Sequence, residues 1–222
     1  MATFNNAIFT VEGNIGAGKS TALNYIKDKL NIDAEYIVIL EPVDEWLKFK
    51  PEGCEKSLFE LFYQDNKKYG FAFQLYALQS RYKYMMDTIN ENPGKIIICE
   101  RSPLTDNEIF AKMLLNDNII NPFEYEIYCK WHELTNTILS LNIKGIIYLK
   151  TSNEVCASRV IHRHRQGEGG ISIDYLEKLN KQHDIWLENE QVIPILTLDG
   201  DKRVDELDVE SIETFMNLYK LV

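Results

Sequence analysis

The sequence is poor in positive charge and has no cysteine pairing pattern. Its 222 residues carry 24 Lys and Arg against 34 Asp and Glu, a formal net charge of -10. That balance argues against binding long nucleic acids by bulk electrostatics, so any phosphate chemistry must use local arginines. The four cysteines, Cys54, Cys99, Cys129 and Cys156, are widely spaced and form no C-x-x-C. A disulfide scaffold or zinc site is not expected; buried free thiols are the default. No apolar run approaches membrane-spanning length. The opening Met1-Ala-Thr-Phe-Asn-Asn6 lacks a basic region followed by an apolar core and has no Arg-rich transit character. There is no internal repeat and no low-complexity segment. The expectation is a cytoplasmic chain with no nucleic-acid and no membrane partner, folded as a single domain over 1–222.

Residues 13–20, Gly13-Asn14-Ile15-Gly16-Ala17-Gly18-Lys19-Ser20, complete a G-x-x-x-x-G-K-[ST] phosphate-binding pattern. Ala7–Val11 before it reads as a buried strand, and Thr21–Leu30 after it as a helix. Glycines let backbone N–H groups turn inward on phosphate oxygens. The helix N-terminus adds a favourable dipole, Lys19 a cation, and the Ser20 hydroxyl a ligand for Mg²⁺.

Short, β-branched, non-alternating runs recur at Ala7–Val11, Tyr36–Leu40, Ile96–Cys99, Ile146–Leu149 and Ile193–Leu198, as expected for strands covered on both faces. Between the second and third lies a long helix, about Asn66 to Asn90. Its stripe is Phe71, Leu75, Leu78, Tyr82, Met85 and Ile89, and Pro93-Gly94 ends it. Further helices are expected from Pro122 to about Ser140 and from about Val204 to Leu221. Strands alternating with helices imply a parallel α/β sheet whose ligand site lies beyond the carboxyl ends of its strands.

That rule selects Glu41-Pro42-Val43-Asp44-Glu45-Trp46 and Glu100-Arg101-Ser102-Pro103. A carboxylate beside Mg²⁺ and a triphosphate can hold a metal-bound water or take a proton from an attacking hydroxyl. Arg101 can stabilise charge on the transferring group. Three arginines, Arg159, Arg163 and Arg165, lie within seven residues and run into Gln166-Gly167-Glu168-Gly169-Gly170. They form a clamp for donor phosphates on a segment, about 159–170, able to open and close and so keep water out. His162 and His164 lack a second pair of ligands and are not read as a metal site. Trp131, His132 and His183 read as packing.

Together these pieces resemble the deoxyribonucleoside kinase family, which includes deoxycytidine, deoxyguanosine and insect-type multisubstrate kinases. The resemblance covers nearly the whole chain. It rests on Gly13–Ser20, Glu41-Pro-Val with Trp46, Phe73-Gln74-Leu-Tyr-Ala77 with Ser80-Arg81, Glu100-Arg101-Ser102 with Asp106, the lid Arg159 to Glu168, Tyr175–Leu179 and Pro194–Asp199. It implies a three-layer P-loop nucleoside kinase fold with a five-stranded parallel sheet and a helical lid. The implied activity is Mg²⁺- and ATP-dependent transfer of the γ-phosphate to a deoxynucleoside 5′-hydroxyl. Phosphates fall to Gly13, Asn14, Gly16, Ala17, Gly18, Lys19, Ser20 and Thr21 with the three lid arginines, and metal to Ser20 and Glu100. Of Glu41 and Glu100, one is the general base, with Glu100 slightly favoured; Arg101 steadies hydroxyl and phosphoryl. Tyr63 and Glu168 hold the sugar 3′-hydroxyl, Gln74 the base edge, and Trp46 and Phe110 are apolar walls. The segment Asp201-Lys202-Arg203 corresponds to the loop over the donor base and departs from the expected pattern. The resemblance also implies a homodimer through helices on one side of the sheet. Ile109, Met113, Leu114 and Leu115 are candidates for that contact, although core packing explains them equally well.

Arg81 donates only and Asp106, ionised, accepts only. Together they can hold each other and present a carboxylate to an exocyclic amine, which cytosine and adenine carry and thymine lacks. Family members with an Arg and an Asp at these places resemble the deoxycytidine and purine kinases, so the resemblance implies deoxycytidine, deoxyadenosine or deoxyguanosine over thymidine. Two other readings compete. A thymidylate kinase-like nucleoside monophosphate kinase would need more cations for its acceptor phosphate. A nucleotide-binding switch would want a guanine-reading Asn-Lys-x-Asp, which Asn66-Lys67-Lys68-Tyr69 and Asn180-Lys181-Gln182-His183 do not complete.

Overall fold

The computed structural model describes residues 6–30 and 35–220. The chain alternates strands and helices from its start. The strands are β1 (Ile8–Glu12), β2 (Tyr36–Ile39), β3 (Ile96–Glu100), β4 (Ile143–Lys150) and β5 (Ile195–Asp199). They form one parallel sheet in the order β2-β3-β1-β4-β5. All five expected strands are present, shifted by at most a few residues. The opening residues Met1–Asn5 and the expected helix end at Leu221 lie outside the described residues.

Helix α1 (Lys19–Lys29) follows the phosphate loop directly. Between β2 and β3 lie α2 (Val43–Lys48), α3 (Leu58–Gln64) and the long α4 (Asn66–Glu91). The chain after β3 enters a short helical run. It comprises α5 (Pro103–Thr105), a π-helical turn over Asp106–Ala111, and α6 (Lys112–Asn116). Then come α7 (Pro122–Leu139), α8 (Asn153–Arg163), α9 (Ile173–Asn189) and α10 (Val209–Tyr219). Local chemistry sets several boundaries. Asn121 caps α7 with Glu124 bonding back, and Pro122 fills the first turn, where no N–H is needed. The expected last helix is split: Val204–Glu206 is a 3₁₀ turn, and α10 starts after it, capped by Asp208.

Strand periodicity sorts the core into two layers. Phe9, Val11, Ile98, Ile147 and Leu149 pack with Ala22, Leu23 and Ile26 of α1 and Ile212 and Met216 of α10. On the opposite face, Ile8, Ile97 and Cys99 meet Met85 and Ile89 of α4. Ile146 and Tyr148 there join the larger cluster of α4, the π-turn and α9. The result is a three-layer P-loop kinase architecture. Ile109, Met113 and Leu114 are wholly or almost wholly buried in that larger cluster and half-buried Leu115 packs against it, so core packing accounts for this stretch. Trp131 is the reverse case: read as packing, it is 50% exposed. No helix among the described residues is long and apolar enough to cross a membrane.

His183 is packing. Its ring lies parallel to that of Tyr148 at 6.0 Å, and Nδ1 sits 2.7 Å from Leu179 O. Burial pushes the imidazole pKa down to about 3, against the pull of the Leu179 carbonyl. The folded value lies below the ordinary value of about 6.5, so protonation opposes folding as pH falls from about 6.5 toward 3. Urea unfolding of the wild type and His183→Gln between pH 6.5 and 4 checks this. The wild type should lose stability relative to the variant by up to about 1.4 kcal/mol per pH unit. A difference independent of pH would mean that the imidazole titrates normally.

Candidate active site

The phosphate loop sits where β1 hands over to α1. Gly13 has φ +147°, and a Cβ there would stand 2.8 Å from Leu149 O; Gly18 begins the helix at φ +96°. Only glycine fits both positions without strain. Lys19 is buried, and its ammonium donates to Asn14 O at 2.8 Å. Burial, aided by Arg101, lowers its pKa to about 8, and Glu100 and Glu41 oppose that shift. The Asn14 side chain turns away from the loop and fastens it to α9, donating to Leu176 O and to Asn180 Oδ1.

The next two strand ends bring their carboxylates to this loop. The Ser20 hydroxyl donates to Glu100 at 2.9 and 3.0 Å, and Lys19 Nζ lies 4.0 Å from the same carboxylate. Glu41 is held by two guanidinium groups. Arg101 Nη1 reaches both its oxygens at 2.8 and 3.0 Å, and Arg81 Nη2 donates at 2.8 Å. Burial opposes ionisation of Glu41, but Arg101 and Arg81 outweigh it and hold the carboxyl well below the usual range. Arg81 also forks onto Asp106, Nε to Oδ2 at 2.8 Å and Nη2 to Oδ1 at 3.2 Å, and donates to Glu100 O at 3.1 Å. The expected Arg81–Asp106 pair is therefore present, and Glu41 belongs to the same network.

Beside this network a pocket is lined by Trp46, Tyr63, Gln74, Arg81, Asp106, Phe110 and Glu168, and also by Phe59, Phe62 and Phe73. Trp46 Nε1 is satisfied by the Ser80 hydroxyl at 2.8 Å, leaving its ring as a wall against Phe59 and Phe73. Phe110 lies under Arg101, guanidinium carbon to ring centre 4.9 Å. Burial, with Tyr175 and Glu168 near, raises the Tyr63 pKa and keeps it a neutral phenol. The π-turn carries both Asp106 and Phe110, and the Gln182 side chain on α9 donates to its Glu108 carbonyl at 2.9 Å.

A second, wider space opens beside the loop, lined by Gly16–Ala22, Arg159, Lys202, Arg203, Val204 and Leu207. Lys19, Glu100, Arg163 and Arg165 line both spaces. Helix α8 runs through Arg163, so Arg159 and Arg163 share a face as expected. Their partners differ. Arg159 donates to the carbonyls of Ala17, Gly200 and Lys202, tying the phosphate loop to the segment after β5. Arg163 and Arg165 both grip Glu168, at 2.8 and 3.2 Å. The lid tip is latched to α3 by Gln166 Nε2 donating to Glu60 at 2.8 Å. Asp201 lies outside the donor-side lining and caps α8 through Ser152. No group of three His, Cys, Asp or Glu among the described residues could hold a metal. Ser20 and Glu100 offer two hard oxygen ligands, a donor set that suits Mg²⁺ bound mainly through phosphates and water.

Sequence reasoning missed Phe59, Phe62 and Phe73 as walls and Asn180 as the fastener. Phe59 and Phe62 stand three apart on α3, a spacing that by itself signals only a buried helix face. Asn180 carries no local signal, because its role depends on α9 crossing the loop.

Comparison with known proteins gives a consistent picture. The family model described as deoxynucleoside kinase matches residues 9–221. A probable deoxycytidine kinase of fowlpox virus (strain NVSL) is 36% identical over 196 residues, covering 86% of this chain and 78% of its own length. Rat (Rattus norvegicus) deoxycytidine kinase is 33% identical over 239 residues, covering 94% and 90%. A mitochondrial deoxyguanosine kinase of Xenopus laevis is 32% identical over 217 residues, covering 87% and 81%.

The Arg81 network makes a stability prediction. Arg81→Met strands Asp106 as a buried carboxylate and leaves Glu41 to Arg101 alone, and should cost about 3–5 kcal/mol in urea unfolding. Adding Asp106→Ala should recover part of that loss, since one stranded charge is removed. Additive losses would show that the two side chains are energetically independent.

Proposed function

The chain belongs to the deoxynucleoside kinase family, and on that premise we propose how its residues divide the ATP-dependent phosphorylation of a deoxynucleoside 5′-hydroxyl. One observation carries the reading: Lys19, Glu100, Arg163 and Arg165 line both spaces, so donor phosphates and acceptor meet at these side chains. The triphosphate lies on the backbone of Gly13–Ser20 and Thr21, with Lys19, Arg163 and Arg165 on its charge. Arg159 acts by pinning the loop. Mg²⁺ on Ser20 and Glu100 would neutralise charge on the phosphate oxygens. The nucleoside lies in the pocket between Trp46 and Phe110, with Gln74 at its base edge and Tyr63 and Glu168 on the 3′-hydroxyl.

The two carboxylates divide the chemistry. Glu100 already engages Ser20 and Lys19, the phosphate and metal side. Glu41 sits between Arg81 and Arg101 on the acceptor side. Geometry therefore favours Glu41 as partner of the 5′-hydroxyl and Glu100 as the metal-side ligand, the reverse of the slight preference for Glu100 as base that the family resemblance suggests. A carboxylate held so strongly ionised is a weak base. It takes the proton late, once bond formation to phosphorus has acidified the hydroxyl in a loose transition state. Arg101 steadies the hydroxyl and the phosphoryl group.

Asp106 favours the exocyclic amine of cytosine or adenine, and likeness to deoxyguanosine kinase adds deoxyguanosine, so deoxycytidine, deoxyadenosine or deoxyguanosine is used in preference to thymidine. The single chain over 1–222 works as one kinase domain, with the lid at about 159–170. It functions in a reducing, cytoplasm-like compartment, in keeping with its free cysteines.

A homodimer forms through α7. Phe123, Ile127, Trp131, Leu134 and Ile138 recur along one face of that helix and are 84%, 46%, 50%, 49% and 59% exposed. A continuous apolar face of this kind marks an association surface.

Three outcomes test these assignments. Glu41→Gln and Glu100→Gln should each lower kcat by about two orders of magnitude or more. Only Glu100→Gln should also raise the Mg²⁺ concentration for half-maximal rate; equal Mg²⁺ dependence in both variants would refute the division. Across four deoxynucleosides, thymidine should be the poorest substrate, and Arg81→Met with Asp106→Ala should bring it up. Thymidine as the best substrate of the wild type would sink the base assignment. Sedimentation should show a dimer that Trp131→Glu converts to monomer; a wild-type monomer removes α7 as an interface.

A further inference from the structure

Glu12, the last residue of β1, is fully shielded from solvent, and the division of labour above leaves it without a task. Its carboxylate reaches the turn that follows β3. Oε1 accepts from the Ser102 hydroxyl at 3.3 Å, and Oε2 accepts from the Thr105 hydroxyl at 2.7 Å. Thr105 Oγ1 in turn accepts from the Ser102 N–H at 3.0 Å. The carboxylate thus fastens a compact turn from beneath.

That turn contains an unusual residue. Arg101 has φ +60°, a left-handed conformation that long side chains rarely adopt. Such a conformation persists only when its surroundings over-determine it. Before it, the Arg81 guanidinium holds Glu100 O; at it, the Arg101 N–H donates to Val11 O at 3.0 Å. After it, Glu12 holds Ser102 and Thr105. This backbone setting delivers the Arg101 guanidinium to Glu41 and onto Phe110. Sheet packing does not require a carboxylate at this position, because an apolar residue would fill the strand end as well. Burial pushes the Glu12 carboxyl above its usual range, with Thr105 and Arg101 acting against it. A buried carboxyl with that desolvation cost is retained for the hydrogen bonds it makes.

We propose that Glu12 is a positioning residue, whose clamp on Ser102 and Thr105 holds Arg101 in the left-handed conformation that aims its guanidinium at the transferring phosphoryl group. This rests on the reading of Arg101 given above. The hydrogen bonds, rather than the charge, carry the effect. Ser102 Oγ and Thr105 Oγ1 lie 3.4 Å apart, and either can donate to the other. A glutamine amide could therefore accept from one hydroxyl and donate to the other once they turn.

The test compares steady-state kinetics of the full chain with ATP and its best deoxynucleoside. Glu12→Leu should lower kcat by about tenfold to a hundredfold, the cost of misplacing a catalytic group by about an ångström, with the KM for ATP changed by less than about twofold. Glu12→Gln should restore kcat to within about threefold of wild type. Thr105→Val removes the shorter bond from the other side and should reproduce the kcat loss, which keeps the test intact if Glu12→Leu does not fold. Arg101→Met is the control. If it loses turnover while Glu12→Leu or Thr105→Val keeps wild-type kcat, the positioning role is wrong and the site reading stands. If Arg101→Met itself keeps wild-type kcat, the reading of Arg101 falls and the proposal with it. Loss of Tm and a rise in both KM values, without rescue by Glu12→Gln, would assign Glu12 to general folding and also overturn the proposal.

Discussion

The structure depends on a buried ionic network, Asp106–Arg81–Glu41–Arg101, with all four side chains at most 9% exposed. Removing four charges from water is costly, and the cost is offset only if nearly every lone pair and N–H finds a partner. Here the partners come from four separate places: α4, the segment after β2, the residue after β3, and the π-turn. None of these elements can move without leaving a charge unpaired. The network therefore fixes the pocket more tightly than its aromatic walls do, because ring contacts tolerate small shifts and forked ion pairs do not.

Around this rigid centre the lid is built to different rules. Its arginines are partly exposed, 29% and 30%, and both depend on one buried carboxylate, Glu168, that lines the aromatic-walled pocket. The tip of this segment meets α3 through the Gln166–Glu60 bond and through Gly167, which lies close to Phe59. The phosphate loop is held by the Asn14 side chain, which bonds to Leu176 O on α9, and by Arg159 at the start of this segment, which donates to the Ala17 carbonyl.

The apolar residues show what periodicity can and cannot decide. Ile109, Met113 and Leu114 have the spacing of a helix face, and so do Ile127, Trp131, Leu134 and Ile138. The first set is core and the second is surface. A helical stripe reports that one side of a helix meets something apolar, not whether the partner is the same chain.

The five strands, the phosphate loop, the long helix and the carboxylates at the strand ends are legible from residue order alone. These follow from local signals: glycine spacing, β-branched runs, and the rule that open parallel sheets bind ligands past their carboxyl edge. Arg81 and Asp106, 25 positions apart, are legible as complementary donor and acceptor. It takes the packed fold to show that Glu41 joins them, that Arg159 ties backbone while Arg163 and Arg165 line both pockets, and that Asn180 and Glu12 are fasteners. Each of these depends on which elements cross, and a buried polar side chain acquires its role from whatever unpaired group the fold brings within about 3 Å.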